Sequence, residues 1–429
     1  MSTNKDLCTN YRLPKSLSGI AQLGAAIERR WAKCGHRFEC FAEIAAEQLQ
    51  AAALDERFDE DAVLRWVYRV RRLLPQLDLD ATFGEPPVTV WHGKDFLIDL
   101  YFWLQPETAI HDHSFAGAFT NLRGESLHVR YDFRRSERVG ADVLLGELRV
   151  QQTETLTRGA VRPIVAGPRF IHSVWHLERP TITLAVRTAR LGPVKRLYSY
   201  CQPGFAYPHT LSPPAELQRR RQFVRYLFRR EHPQRTELLA ELLARARPAE
   251  LLVYLGDLRW LTADHDENEA LHQRLVQQLR ARHGTWLDVA LRAVRANEMF
   301  DVLRWDNLTA VEHRFFVALL ANLPRRDEIA TWVARKAGAR PWAETATNWL
   351  CEMMQCKALT HDLGSTRAEI VSCLLRGLSD EETLGELRRT YFVSRFEAGV
   401  LRQAIAAFRA LPLLQALWPG ARANVHPAG

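Results

Sequence analysis

The run Ala109-Ile110-His111-Asp112-His113-Ser114-Phe115 places two histidines at i and i+2. On a β-strand that spacing projects both imidazoles from one face, with Asp112 turned to the other, so the two rings can converge on one cation. A third donor has to come from another strand. Gly167-Pro168-Arg169-Phe170-Ile171-His172 offers His172 at a Gly-Pro turn that opens one. Neutral imidazoles suit iron, copper, nickel and zinc, and three of them on rigid strands leave positions for water, dioxygen or a substrate. His111, His113 and His172 are therefore the expected metal ligands.

Other residues with chemical potential carry plainer readings. His128 and His176 either line the same pocket or are hydrogen-bonded or surface histidines. Glu107 and Glu125 sit at strand ends, where glutamates normally face solvent. Tyr101, Trp103, Phe115 and Trp175 flank the histidine motifs and read as barrel packing, with a pocket wall as a second role. His265, Glu269 and His272 share a helix face that is most simply solvated. Cys351, Cys356 and His361 match no zinc spacing. The seven cysteines are odd in number and include no Cys-x-x-Cys pair, which argues against a disulfide framework.

The elements that must position these groups change along the chain. Leu17 to Trp31, Phe38 to Leu54 and Asp59 to Leu74 read as helices. In the third, Val63, Val67, Val70 and Leu74 make one face, acids fill the first turn, arginines the last, and Pro75 ends it. From Val88 to Tyr200 short runs rich in Val, Ile, Phe, Tyr and Thr predict a sandwich or barrel. SLHVRYDF alternates, with Leu127, Val129, Tyr131 and Phe133 opposite His128, Arg130 and Asp132. TITLAVR likewise sets Ile182, Leu184 and Val186 against Thr183, Ala185 and Arg187. After Ser212-Pro213-Pro214 the periodicity is helical to about Trp418, with no fixed repeat length. The expected architecture is α+β: an N-terminal helical segment over 1–84, a central β-barrel over 85–210 and a C-terminal helical domain over 211–429.

In HDHSFAGAFTNLRG, from His111 to Gly124, and in GPRFIH the chain resembles the cupins, and among them the thiol dioxygenases typified by cysteine dioxygenase. The run from Gly93-Lys94 to the histidine pair, and the strand after Pro180, resemble that family in spacing, and the likeness covers about Val88 to Tyr200. It implies a small cupin-type barrel, ferrous iron, and O2 activated beside a substrate that binds the metal directly. The departures bear on the substrate. Gly117 or Ala118 stands where many cupins carry a ligating glutamate and mammalian cysteine dioxygenase a cross-linked cysteine. The family's substrate-carboxylate arginine falls near Glu85, and its Ser, His and Tyr relay falls on Thr183, Ala185 and Arg187. The metal site is kept and the substrate site rebuilt, so a cysteine dioxygenase is not expected.

The leading expectation is an O2-dependent mononuclear non-haem iron oxygenase, with another divalent metal as an alternative ion. Its substrate is a small molecule or one borne on a peptide or carrier. Arg187, His176 and Tyr101 are the candidate catalytic groups, with Arg187 the candidate to hold an anionic substrate group. The alternatives are a metal-dependent isomerase, lyase or hydrolase on the same barrel, and a non-catalytic scaffold. The balance of 58 basic and 50 acidic residues gives a net charge of +8, modest for 429 residues. Nucleic acid is accordingly disfavoured as a partner, with arginines such as Arg219, Arg220, Arg221, Arg225, Arg229 and Arg230 read as solvated helix faces. The absence of a long apolar run and the polar start Met1 to Asn10 argue for a cytoplasmic protein without a membrane span. The oligomeric state has no signal in the sequence.

Overall fold

The computed structural model describes residues 13–76, 84, 86–105, 109–189, 192, 196–208, 214–262, 266–297, 303–359, 367–391 and 395–418. Three N-terminal helices follow the apolar spacing: α1 (Ile20–Lys33), α2 (Phe41–Ala52) and α3 (Glu60–Arg69). Asp59 caps α3, its carboxylate accepting the Ala62 amide, with Glu60 and Asp61 in the first turn. The helix ends at Arg69, short of the expected Leu74. Val70 is extended at φ −69°, ψ 135°, and Leu74 is buried from this extended segment.

The β region comprises β1 (Pro87–His92), β2 (Phe96–Trp103), β3 (Ile110–His111), β4 (Gly117–Arg123), β5 (Ser126–Val139), β6 (Val143–Leu156), β7 (Val161–Ile164), β8 (Ile171–His176), β9 (Thr181–Thr188), β10 (Tyr198–Cys201) and β11 (Phe205–Pro208). Five strands form a sheet in the order β1-β2-β9-β4-β7. The other six run β10-β11-β6-β5-β8-β3 in a closed barrel. Helices follow: α4 (Ala215–Arg229), α5 (Arg235–Arg245), α6 (Pro248–Thr262), α7 (Asp266–His283), α8 (Thr285–Asn297), α9 (Val311–Asn322), α10 (Arg326–Ala337), α11 (Trp342–Gln355), α12 (Arg367–Arg376), α13 (Asp380–Tyr391) and α14 (Arg395–Ala410). The architecture is α+β, with a β domain that includes a closed six-stranded barrel between helical regions. Among the described residues no helix is long and apolar enough to cross a membrane.

The described residues pack into two compact units. One is drawn from Met1–Asp132, Val150–Leu197 and Val302–Asn424, the other from Phe133–Arg149 and Tyr198–Asp301. Where the sequence reading draws one helical segment over 211–429, α9–α14 belong to the unit that holds the histidine motifs and α4–α8 to the other.

In the first unit the five-stranded sheet separates two environments. Phe96, Ile98, Leu100 and Phe102 of β2, and Ile182, Leu184 and Val186 of β9, join Phe41, Ala45 and Leu49 of α2 and Ile20 and Ile27 of α1 in one core. Burying each large side chain there contributes about 1.5–3 kcal/mol. Period-2 alternation then turns Asp99, Tyr101 and Trp103, with their register partners Ala185, Thr183 and Thr181, to the opposite face. The β9 alternation read from the sequence thus holds. Gly117 of β4 lies so close to β9 that an added Cβ would sit 2.1 Å from the Val186 carbonyl oxygen.

Helix α9 packs against β8 in the same unit. Its EHRFFVALLAN run is buried on nearly all sides, as an apolar helix without a polar stripe must be. Arg314 is 2 % exposed and donates to three carbonyls: Leu308 (3.0 Å), Glu178 after β8 (2.9 Å) and Leu104 after β2 (2.9 Å). Asn322 Oδ1 accepts from Tyr131 of β5 at 2.9 Å and from Ser173 of β8 at 2.5 Å.

The second unit has its own core, in which Val143, Cys201 and Phe205 meet Val224, Phe228, Leu251 and Tyr254. Asp257 of α6 accepts two bonds from Arg221 (2.6 and 3.0 Å) and one from Arg225 (2.7 Å). These two arginines are tied down rather than solvated, whereas Arg219, Arg220, Arg229 and Arg230 are exposed.

Candidate metal centre

His111 and His113 leave the short strand β3 and its continuation, and His172 lies on β8 as the register partner of His111. Gly167 sets this juxtaposition. At φ +79° it takes a turn conformation that favours glycine, its amide donates to the His113 carbonyl at 2.7 Å, and its carbonyl receives the Phe170 amide at 3.1 Å. One turn therefore fastens the His-x-His segment to the strand that carries the third histidine.

The three side chains are buried, and one nitrogen from each lies within 4.8 Å of the others. They are the one such group of three or more ligating side chains among the described residues; Asp112, buried, is not part of it. His113 Nε2 and His172 Nε2 are 2.8 Å apart. Two nitrogens each ~2.1 Å from a common ion at a right angle would be about 3.0 Å apart, so this spacing fits adjacent ligands of one cation. The buried triad can bind a metal ion.

Hydrogen bonds fix which nitrogens face the centre. His111 Nδ1 lies 3.1 Å from the Ala109 carbonyl, which can only accept, so Nδ1 carries the proton and Nε2 the lone pair. His172 Nδ1 is 3.0 Å from His128 Nε2, and His128 Nδ1 is 2.9 Å from Glu154 Oε1. Glu154 is held ionised, its pKa lowered to about 2 by hydrogen bonds from Arg162 and His128. An ionised carboxylate only accepts; His128 Nδ1 therefore donates to it, neutral His128 accepts at Nε2, and His172 donates from Nδ1. The outcome is a His172 whose Nε2 lone pair points to the centre. Arg162 completes the chain with Nε 2.9 Å from Glu154 Oε1 and Nη2 against Oε2.

Aromatic rings pack around this cluster. The Phe115 ring lies tilted at 4.6 Å from His113, and Phe170 at 4.7 Å and Phe119 at 6.3 Å lie tilted beside His172. Burial lowers the pKa values of His111, His128 and His172, and in His172 the neighbouring His113, His111 and His128 add to the effect. Neutral imidazoles are the form that ligates a metal, so protons compete little with a cation near neutral pH.

His176, two positions further along the same face of β8 than Val174, also lies inside. Its ring stacks on Trp103 at 4.4 Å, its Nδ1 is 3.0 Å from Ser126 Oγ, and burial brings its pKa to about 3, with the Arg314 charge adding to the shift. Arg187 donates from Nε to Asp99 Oδ2 at 2.7 Å, with its side chain 17 % exposed. Asp99 also accepts from Thr89 Oγ1 at 2.7 Å and, at 3.5 Å, from Tyr101. Arg187 is thus the partner of a buried carboxylate rather than a residue at a solvent end of its strand.

Of the plainer readings, Phe115 forms pocket wall, while Trp175 is buried on the other face of β8 against Trp305 at 5.9 Å. His128 is both hydrogen-bonded and inside. Glu125 lines a surface cleft with Asp59, Glu60 and Arg158, away from the ligand group. Glu107, His265 and His361, and the side chains of Glu269 and His272, lie outside the described residues.

Sequence reasoning did not single out Glu154, Arg162, Asp99 or Arg130. Arg130 is the register partner of His172 and its guanidinium lies 5.1 Å over the Phe170 ring. The alternation of SLHVRYDF had placed it on the His128 face; nothing local marks Glu154, whose partners are 8 and 26 residues away.

No family model matches this chain, and no curated protein matches it. Among solved structures it is similar to a DMSP lyase, at 12 % identity and a TM-score of 0.23, over 42 % of this chain and 98 % of the other. It is also similar to a cupin superfamily protein of Desulfitobacterium hafniense, at 14 % identity and a TM-score of 0.17, over 28 % and 99 % of the two chains. A cupin superfamily sugar phosphate isomerase of Silicibacter pomeroyi aligns at 16 % identity and a TM-score of 0.18, over 33 % and 96 %.

Proposed function

We propose that this protein is a mononuclear metal-dependent oxygenase that uses O2 to oxidise a small or peptide- or carrier-bound substrate, with iron(II) as the expected ion. The observation that carries the reading is the set of three buried imidazoles with one nitrogen of each within 4.8 Å of the others. His111, His113 and His172 would hold the cation, and a bound redox-active ion would supply one-electron chemistry toward O2. Three neutral ligands leave the ion's charge uncompensated, which favours a substrate with an anionic group.

The rest of the site prepares that encounter. Phe115, Phe119 and Phe170 exclude water from the ligands. Arg187, paired to Asp99, and Arg130, lying over Phe170, are the cations available to orient an anionic substrate; at Arg187 the substrate would share the guanidinium with Asp99. Tyr101 is tied to the same carboxylate, and His176, stacked on Trp103, is a neutral group that can accept or donate a proton. The same centre with a redox-inactive ion would support non-oxidative isomerase or lyase chemistry instead.

Elemental analysis of freshly purified protein, followed by turnover of metabolites retained from the cell in air and under anaerobic conditions, tests the proposal. Iron content near one per chain with turnover confined to air supports it. Equal turnover without O2 moves the reading to Lewis-acid chemistry, and absence of any bound metal ends it.

A further inference from the structure

The chain of groups behind His172 goes deeper than the usual single partner of a metal-binding histidine. From the His172 Nδ1 proton it passes through His128, 0 % exposed, to the carboxylate of Glu154, whose side chain is 16 % exposed. Each link has one polarity only, because Glu154 can donate nothing. Asp112, the acidic residue nearest in sequence to the pair of histidines, is outside the ligand group, and at Gly117 there is no room for a side chain. Among the described residues the ligand set has no carboxylate of its own.

We propose that Glu154, acting through His128, is a positioning residue for the metal ligand His172: it locks the ring with its proton on Nδ1 and its Nε2 lone pair toward the cation, and it passes negative charge to the ligand. As His172 Nδ1–H is drawn toward His128, electron density rises at Nε2, and His172 becomes a stronger donor than an imidazole bonded only to water or a carbonyl. The half-buried carboxylate thereby acts at one remove, through two rings, where the described residues supply no direct acidic ligand. Arg162 opposes this by holding part of the same charge.

This inference rests on the reading of the triad as a metal site, and the experiment separates the two. The dissociation constant of cobalt(II) is measured for the full-length wild-type, Glu154→Gln and Arg162→Gln proteins by competition with a chromogenic chelator, and the visible spectrum of each cobalt-loaded protein is recorded. Wild type should bind one cobalt ion, and Glu154→Gln should bind it about 10-fold or more weakly with a shifted spectrum. Arg162→Gln, which breaks the ion pair but leaves the carboxylate on His128, should bind at least as tightly as wild type. Equal weakening in both variants would mean that the ion pair matters only for structure, and unchanged binding in Glu154→Gln would mean that the relay does not reach the metal; either overturns the inference while leaving the metal site standing. Failure of wild type to bind cobalt overturns both. Nitrogen-15 spectra of the zinc-loaded wild-type protein, independent of any variant's folding, should show His172 protonated on Nδ1, and protonation of His128 Nε2 instead would refute the chain.

Discussion

Lowering the pH should unfold the metal-free protein earlier than an ordinary protein of its size, for a reason that can be worked from the site. Burial lowers the pKa values of His111, His128, His172 and His176, the last to about 3, whereas an unfolded histidine titrates near 6.5. Below about pH 6.5 the unfolded chain therefore binds more protons than the folded one, so stability is fully present above that pH and declines as the pH falls. Each group contributes up to about 1.4 kcal/mol per pH unit, so the four together set a ceiling of about 5.5 kcal/mol per unit. Against a typical stability of about 5–15 kcal/mol, a slope of this kind is large enough to decide where acid unfolds the chain. Urea unfolding of chelator-treated protein from about pH 8 to about pH 5 should show a flat midpoint down to about pH 6.5 and a steep fall below it. His176→Phe, which keeps a ring against Trp103, should make the slope shallower. A midpoint that stays level to about pH 5 would show that these histidines take up protons in the folded state, and the account of a dry, neutral ligand cluster would fail.

The other expectations are more direct. Removing one imidazole with His113→Ala should sharply lower metal occupancy on elemental analysis, because two ligands hold a divalent cation poorly; full retention would dismiss the triad. Arg314→Met strips three carbonyls of their donor and should destabilise the first unit by about 3 kcal/mol, read as a lowered Tm, even though it also relieves the cost of a buried charge. Gly117→Ala drives a Cβ into the Val186 carbonyl and should cost about 3 kcal/mol or more in chemical denaturation. Arg187→Ala should leave metal content intact while raising KM or lowering kcat on the true substrate, and unchanged kinetics would remove Arg187 from substrate binding.

The order of helical, β and helical regions was legible because each region shows its own period. Alternation in SLHVRYDF and TITLAVR sorted the residues of β5 and β9 to the correct faces, since a strand has only two. Helix α3 ran shorter than its pattern because Val70 turns extended and Leu74 finds its burial from there, a preference no helical period records. The same limit applied to the arginines of α4: periodicity placed them on a surface, but Asp257, 32 and 36 residues away, holds two of them.

By itself the sequence determined the metal-ligand candidates, because His-x-His and the turn before His172 are local patterns whose geometry follows from strand pleating and from what glycine permits. Only the tertiary structure decided the groups behind them. The proton positions on His172 and His128 depend on Glu154, and the commitment of Arg187 depends on Asp99, 88 residues away on a neighbouring strand. Hydrogen bonds between side chains on different strands depend on register and on which atoms are shut away from water, and neither is written in the spacing of residues along one strand.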